Sequence, residues 1–101
     1  MDATVTQAPG ADRWEISVAG RVAGYLTYRK EPGRVALEHT VINPAYEGQG
    51  LASQLVRASL DRAREQGLDV LPVCSYVRSW IGRHPDYLDL VPAGERAGYG
   101  L

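Results

Sequence analysis

The sequence contains a single cysteine, Cys74, and its net charge is only −1. One thiol cannot form a disulfide within the chain, so a disulfide-stabilised fold is excluded. The near balance of charges gives no reason to expect nucleic acid or an anionic membrane surface as a partner. No apolar run is long enough to cross a bilayer, and residues 1–4 lack the basic and apolar regions of a secretory signal. We therefore expect a cytoplasmic protein.

The composition is typical of a globular domain. Of the 101 residues, 45% are hydrophobic and 23% are charged, which provides enough apolar side chains for a buried core. This length fits one domain. We expect a single domain over residues 1–101, with its core at 14–91 and flexible ends, because both ends are rich in small residues and glycine. The sequence leaves the oligomeric state open.

The first half of the chain alternates between apolar and polar residues, as strands do. Such alternation runs from Trp14 to Val18 and again from Val22 to Tyr28, with the turn signal Ala19-Gly20 between them. This pattern predicts a β-hairpin. A further turn signal at residues 31–33 precedes a third alternating run at 35–42, which predicts a three-stranded antiparallel meander.

The second half begins with a helical period. Apolar residues recur at helical spacing up to a helix stop at Gln66-Gly67, and these residues are Leu51, Leu55, Val56, Leu60 and Ala63. The apolar run at 69–73 predicts a buried strand parallel to the third one, and a last helix at 76–83 stops before Pro85. The predicted fold class is α/β (α+β), a meander followed by a helix, a parallel strand and a C-terminal helix.

The glycine loop Gly48-Gln49-Gly50 lies between the third strand and the long helix. The first N–H groups of a helix have no internal acceptor and lie at the positive end of its dipole, so such a loop is suited to a phosphate. The same two glycines also suit a plain tight turn. The loop lacks the Gly-Lys-Ser or Gly-Lys-Thr of a nucleotide-hydrolysing P-loop and the third glycine of a dinucleotide fingerprint.

This loop resembles the acetyl-coenzyme A motif of the GCN5-related N-acetyltransferases (GNATs), which is Arg or Gln, two residues, Gly, one residue, then Gly or Ala. Gly50 and Ala52 match, whereas Glu47 stands at the first position. The pair His39-Thr40 and the segments at 71–76 and 84–87 extend the resemblance to the minimal, single-domain branch, the YjdJ-like small acetyltransferases.

The resemblance implies a minimal GNAT fold and transfer of acetyl from acetyl-CoA to an amine, either a small molecule or a peptide. It also implies that the loop holds the diphosphate and that the pantetheine arm runs along the edge between the third and fourth strands. The residues expected to bind the cofactor are Ile42, Asn43, Glu47, Gly48, Gln49, Gly50, Leu51, Ala52 and Ser53.

Three residues are candidates for catalysis. Cys74, between the fourth strand and the last helix, is either a nucleophile or contact at the thioester, favoured as a thiolate by the helix N-terminus, or a small buried hydrophobe. Glu38 and His39 are competing bases. Alternation places His39 beside Leu37 and Val41, which predicts a core position for it.

Other polar side chains suit acid catalysis but not metal binding. Tyr76 and Tyr87 have phenols that are able to protonate a leaving thiolate. One cysteine and two distant histidines have no metal-ligand spacing, so we expect no metal. Two alternatives to an enzyme stay open: a coenzyme A-binding module without turnover, and a redox or interaction domain centred on the Cys74 thiol.

Overall fold

The computed structural model describes residues 3–8 and 10–101, and five strands in it form one sheet in the order of the chain. The strands are β1 (Ala3–Gln7), β2 (Arg13–Val18), β3 (Arg21–Glu31), β4 (Arg34–Ile42) and β5 (Asp69–Pro72). The two α-helices are α1 (Leu51–Glu65) and α2 (Ser75–Arg83). Short 3-10 turns occupy Pro44–Tyr46, Pro85–Leu90, Ala93–Glu95 and Ala97–Tyr99.

The sheet is antiparallel from β1 to β4, and β5 is parallel to β4. Because α1 carries the chain back along the sheet between β4 and β5, the second strand of that pair runs in the same direction as the first. The predicted meander, helix, parallel strand and final helix are confirmed. Pro72, which has no N–H to donate, lies on β5 at the edge of the sheet, where a proline is tolerated.

Both ends of the chain differ from the flexible tails that we expected. Residues 3–7 form β1, paired with β2 from Ala3↔Val18 to Gln7↔Trp14. Ala3 and Val5 pack against the core, and this short alternation was obscured by the small polar residues around it. Residues 1, 2 and 9 of the predicted tail lie outside the described residues.

The C-terminal segment is also folded against the domain. The N–H of Leu101 donates to the carbonyl of Arg96 at 2.8 Å, and Arg96 Nε donates to the carbonyl of Val91 at 2.9 Å. Tyr99 and Leu101 pack against the core. Burial of apolar surface on these two side chains favours a fixed position for the segment, although it contains several glycines.

The core lies between the sheet and the apolar side of α1. All the residues predicted for that side are buried, and Gly67, with φ of +66°, ends the helix as predicted. Leu55 and Leu60 are fully buried against Ile16, Leu26 and other residues of the same cluster. Burial of each such side chain contributes about 1.5–3 kcal/mol to the stability of the fold.

A β-bulge in β4 reverses the predicted position of His39. Tyr28 pairs with Leu37 and Thr27 pairs with His39, so Glu38 is an extra residue in β4. An extra residue moves the following side chains to the opposite face of the sheet. His39 therefore lies with Thr27, opposite Leu37, and is exposed. The prediction of a core histidine was wrong because simple alternation does not include a bulge.

Candidate functional site

The strands β4 and β5 are paired over only part of their length. Their register runs from Arg34↔Asp69 to Leu37↔Pro72, and the N–H of Cys74 then donates to the carbonyl of Leu37 at 2.8 Å. Beyond this point β4 continues to Ile42, whereas the other chain segment turns into α2. In the described part of the chain, residues 38–42 therefore have no strand partner on the β5 side.

An open cleft of about 550 Å³ lies where the two strands separate. Glu38 and His39 line it from β4, and Cys74 lines it from the start of α2. The fold thus brings together the three candidate catalytic residues, although Cys74 is 35 positions beyond His39 in the chain. The cleft also includes residues that sequence reasoning did not assign to a site, among them Tyr25, Thr27, Thr40 and Arg78.

Cys74 is the N-cap residue of α2 and is only 8% exposed. Its Sγ lies 3.4 Å from Oγ1 of Thr40. The N–H groups of the first turn of α2 lie at the positive end of the helix dipole, and within the described residues no acidic side chain occupies that turn. Cys74 is thus a buried thiol with a hydroxyl beside it, at the inner wall of the cleft.

Glu38 and His39 differ in how they are held. A carboxylate oxygen of Glu38 accepts a hydrogen bond from Arg29 Nη1 at 2.9 Å, and Arg29 also pairs with Glu31. Hydrogen bonds from Arg34 and then from Arg29 lower the pKa of Glu31. Arg29 is thus shared between two carboxylates, whereas His39 is exposed to solvent at the cleft.

The glycine loop leaves the start of α1 open. Gly50 is the N-cap of α1 and has φ of +74°, and Gly48 has φ of +81°. The first hydrogen bond of the helix runs from the Gln54 N–H to the Gly50 carbonyl at 3.2 Å. The N–H groups of residues 51–53 therefore have no acceptor within the helix. Among residues 3–8 and 10–101, no atom lies within 4 Å of a Cβ added at either glycine, so these residues leave the space above this turn free.

A groove of about 330 Å³ runs over this turn. Most of the residues predicted to bind a cofactor line it, namely Ile42, Glu47, Gly48, Gly50, Leu51, Ala52 and Ser53. The structure places Asn43 and Gln49 outside this lining. Asn43 Oδ1 accepts the N–H of Ala45 at 3.0 Å, and the Asn43 N–H donates to the Ala23 carbonyl at 2.8 Å, so Asn43 holds the chain turn beside β3.

The two tyrosines proposed as acids occupy different places. Tyr76 lines both the groove and the cleft, so it lies between the two. Tyr87 lines neither. Its hydroxyl donates to Asp61 Oδ1 at 2.7 Å, and burial, followed by this hydrogen bond, raises the pKa of Tyr87. Tyr87 therefore joins the 3-10 turn after α2 to α1.

Comparison with known proteins shows the family of this chain. The family described as GCN5-related N-acetyl-transferase matches residues 13–90. The chain belongs to this family. The recognition made from the glycine loop and its flanking motifs is thereby confirmed.

Relatives of this GNAT chain include Protein NATD1 from Gallus gallus, which is 35% identical over 51 residues, covering 50% of this chain and 46% of the relative. Protein NATD1 from Danio rerio is 32% identical over 59 residues, covering 56% of this chain and 54% of the relative. The chain thus spans about half the length of the curated relatives that it matches.

Solved structures show the same fold. A GCN5-like protein from Staphylococcus aureus superposes with a TM-score of 0.68 at 23% identity, covering 88% of this chain and 87% of that one. The ribosomal-protein-S18-alanine N-acetyltransferase from Escherichia coli superposes with a TM-score of 0.56 at 18% identity, covering 63% of this chain and 42% of that one. Across residues 3–8 and 10–101, neither α-helix has the length and apolar character needed to span a membrane.

Proposed function

We propose that this GNAT protein binds acetyl-CoA and transfers its acetyl group to an amine. The observation that carries the proposal is the separation of β4 from β5 after Leu37↔Pro72, beyond which no described strand pairs with that edge of β4. An unpaired strand edge offers N–H and C=O groups to an amide-rich chain, as an added strand would. The pantetheine arm of acetyl-CoA has that chemistry.

The residues of the groove fit the phosphate end of the same molecule. Its diphosphate is an anion, and the free N–H groups of Leu51, Ala52 and Ser53 point from the positive end of a helix dipole. Gly48 and Gly50 lack side chains that would keep a phosphate away. Ile42 would contribute the strand edge, and the resemblance adds Asn43, Glu47 and Gln49 as flanking residues. The Glu47 carboxylate would repel the diphosphate, because both are negatively charged. In the family motif this position is Arg or Gln instead.

In the cleft, Cys74 would face the acetyl group, which the bound coenzyme supplies as an activated thioester. The acceptor amine, on a small molecule or a peptide, reacts only after it has lost a proton. His39 and Glu38 both line the cleft. We favour His39 as the base, because the carboxylate of Glu38 is already engaged by Arg29 at 2.9 Å.

We expect His39→Gln to lower kcat/KM by about a hundredfold, the usual contribution of a general base, and Glu38→Gln to lower it by less than about tenfold. The measurement is kcat/KM against pH for both variants and the wild type. Loss of the acidic limb of the wild-type profile, over which the rate rises as the general base loses its proton, only in His39→Gln would assign the proton transfer to His39. The opposite ranking of the two variants would assign it to Glu38.

Titration calorimetry with acetyl-CoA, together with release of free coenzyme A thiol in the presence of polyamines, amino acids or peptides, tests the proposal as a whole. We expect binding and amine-dependent thiol release. Absence of binding would contradict both the site and the function. Binding without thiol release across the panel would identify a coenzyme A-binding module instead of an enzyme.

A further inference from the structure

A buried tryptophan donates a hydrogen bond to a serine that lines the groove. Trp80, on α2, is fully buried, and its Nε1–H donates to Oγ of Ser53 at 2.8 Å. Ser53 is the third residue of α1 and lines the groove together with the free N–H groups. These two residues are 27 positions apart in the chain, and the hydrogen bond joins α2 to the first turn of α1.

The direction of this hydrogen bond shows which group of Ser53 is engaged and which is left available. An indole N–H is only a donor, so the Ser53 oxygen must be the acceptor. The hydroxyl proton of Ser53 is then left for another acceptor. Ser59, on the same helix, shows the usual alternative, because its Oγ donates to the carbonyl of Leu55 at 2.8 Å. Within the described residues, no such backbone acceptor engages Ser53.

The indole ring is held in place by its neighbours. It stacks on His84 with a centroid distance of 3.8 Å and an interplanar angle of 14°. Tyr87 packs edge-on at 5.0 Å, and the guanidinium of Arg57 lies 5.1 Å from the ring centroid. A fully buried ring with contacts on several sides has little rotational freedom, so the position of its N–H is fixed.

We propose that Trp80 is a positioning residue, which orients the Ser53 hydroxyl as a donor to a phosphate oxygen of the bound coenzyme. This inference rests on the proposed function. Because α2 carries Cys74 at its N-cap and Trp80 further along, the same helix then positions both the acetyl end and the phosphate end of the site.

The test compares two ligands, acetyl-CoA and S-acetyl-pantetheine, which has the thioester arm but no phosphate. We expect Ser53→Ala to weaken acetyl-CoA binding about tenfold, as loss of a hydrogen bond to a charged group does. Trp80→Phe, which keeps an aromatic ring and removes the N–H, should weaken it about three- to tenfold. Both variants should bind S-acetyl-pantetheine within about twofold of the wild type, since that ligand does not reach Ser53.

A double-mutant cycle separates positioning from general destabilisation. If Trp80 acts through Ser53, the variant with both substitutions should bind acetyl-CoA no more weakly than Ser53→Ala alone. Ser59→Ala is the matched control, because it removes a serine hydrogen bond from the same helix away from the groove. It should change the affinity for neither ligand.

Tryptophan fluorescence provides a second measurement that does not depend on the folding of Trp80→Phe. The chain has two tryptophans, so Trp14→Phe leaves Trp80 as the only tryptophan, and excitation that tyrosine does not absorb selects its emission. Acetyl-CoA should shift its emission, and S-acetyl-pantetheine should not. Additive losses in the double variant, equal losses for both ligands, or an unshifted emission would overturn the positioning role. Absence of acetyl-CoA binding by the wild type would contradict the proposed function itself.

Discussion

Replacing Gly50 with valine is expected to weaken acetyl-CoA binding by about a hundredfold or more, because a valine side chain would occupy the space that the diphosphate needs. In the part of the chain that the structure describes, no atom lies within 4 Å of the Cβ of that valine, so the side chain would extend into the open groove. Calorimetry measures the change in Kd. If binding stayed intact, the assignment of the loop to the phosphates would be wrong.

Backbone strain is a separate effect of the same substitution and requires a matched control. Gly50 has φ of +74°, where an L-residue costs about 1–2 kcal/mol. Gly33, in the turn between β3 and β4, has φ of +77° and an equally empty surrounding. Gly33→Val should therefore lower the free energy of unfolding by a similar amount and leave the Kd unchanged. Equal losses of affinity in both variants would attribute the effect to strain.

The second large effect is expected at Cys74. We expect Cys74→Ser to lower acetyl transfer by about a hundredfold or more while the Kd for acetyl-CoA stays within about twofold, because a serine hydroxyl is a far weaker nucleophile than a thiolate. In the reaction tested, the base takes the Cys74 thiol proton while Sγ bonds to the acetyl carbon, and the coenzyme sulfur leaves and takes up that proton. The amine then bonds to that carbon, the Sγ–carbon bond breaks, and the amine proton passes through the base to Sγ.

Mass spectrometry of acid-quenched enzyme gives an independent check of this route. Wild-type protein mixed with acetyl-CoA without an amine should gain the mass of one acetyl group on the peptide that contains Cys74, and Cys74→Ser should not. Thr40→Val tests the neighbouring hydroxyl, 3.4 Å from Sγ, and should leave the thiol available for acetylation. Unchanged turnover in Cys74→Ser would instead support direct transfer from coenzyme to amine, with Cys74 as a residue that only lines the cleft.

Features encoded by neighbouring residues were predicted correctly. The apolar spacing from Leu51 to Ala63 specified the buried side of α1, and Gly67 specified its end. Gly48 and Gly50, placed between an alternating run and a helical run, indicated the open turn at the start of α1. Each of these features depends on backbone dihedrals and side-chain period over a few residues, which a single sequence contains.

Features that depend on pairing between distant residues were missed or only partly predicted. The Ala3–Gln7 segment becomes a strand because β2 offers it a partner, and its own weak alternation did not reveal that. His39 lies in the cleft because Glu38 bulges against β3, which depends on how two strands align. The Tyr87–Asp61 and Trp80–Ser53 hydrogen bonds likewise join residues more than 25 positions apart.

By itself, the amino-acid sequence determined the family, through the resemblance of its motifs. It also determined the order of the elements from β2 to α2 and the loop proposed to hold the diphosphate, since these depend on local period and on the glycines between the elements. Only the tertiary structure decided which side of the sheet His39 occupies, that Cys74 meets Thr40, and that Trp80 lies behind Ser53. These contacts arise from strand register and helix packing. One inserted residue in a strand, or the rotation of a helix, changes which residues a side chain contacts.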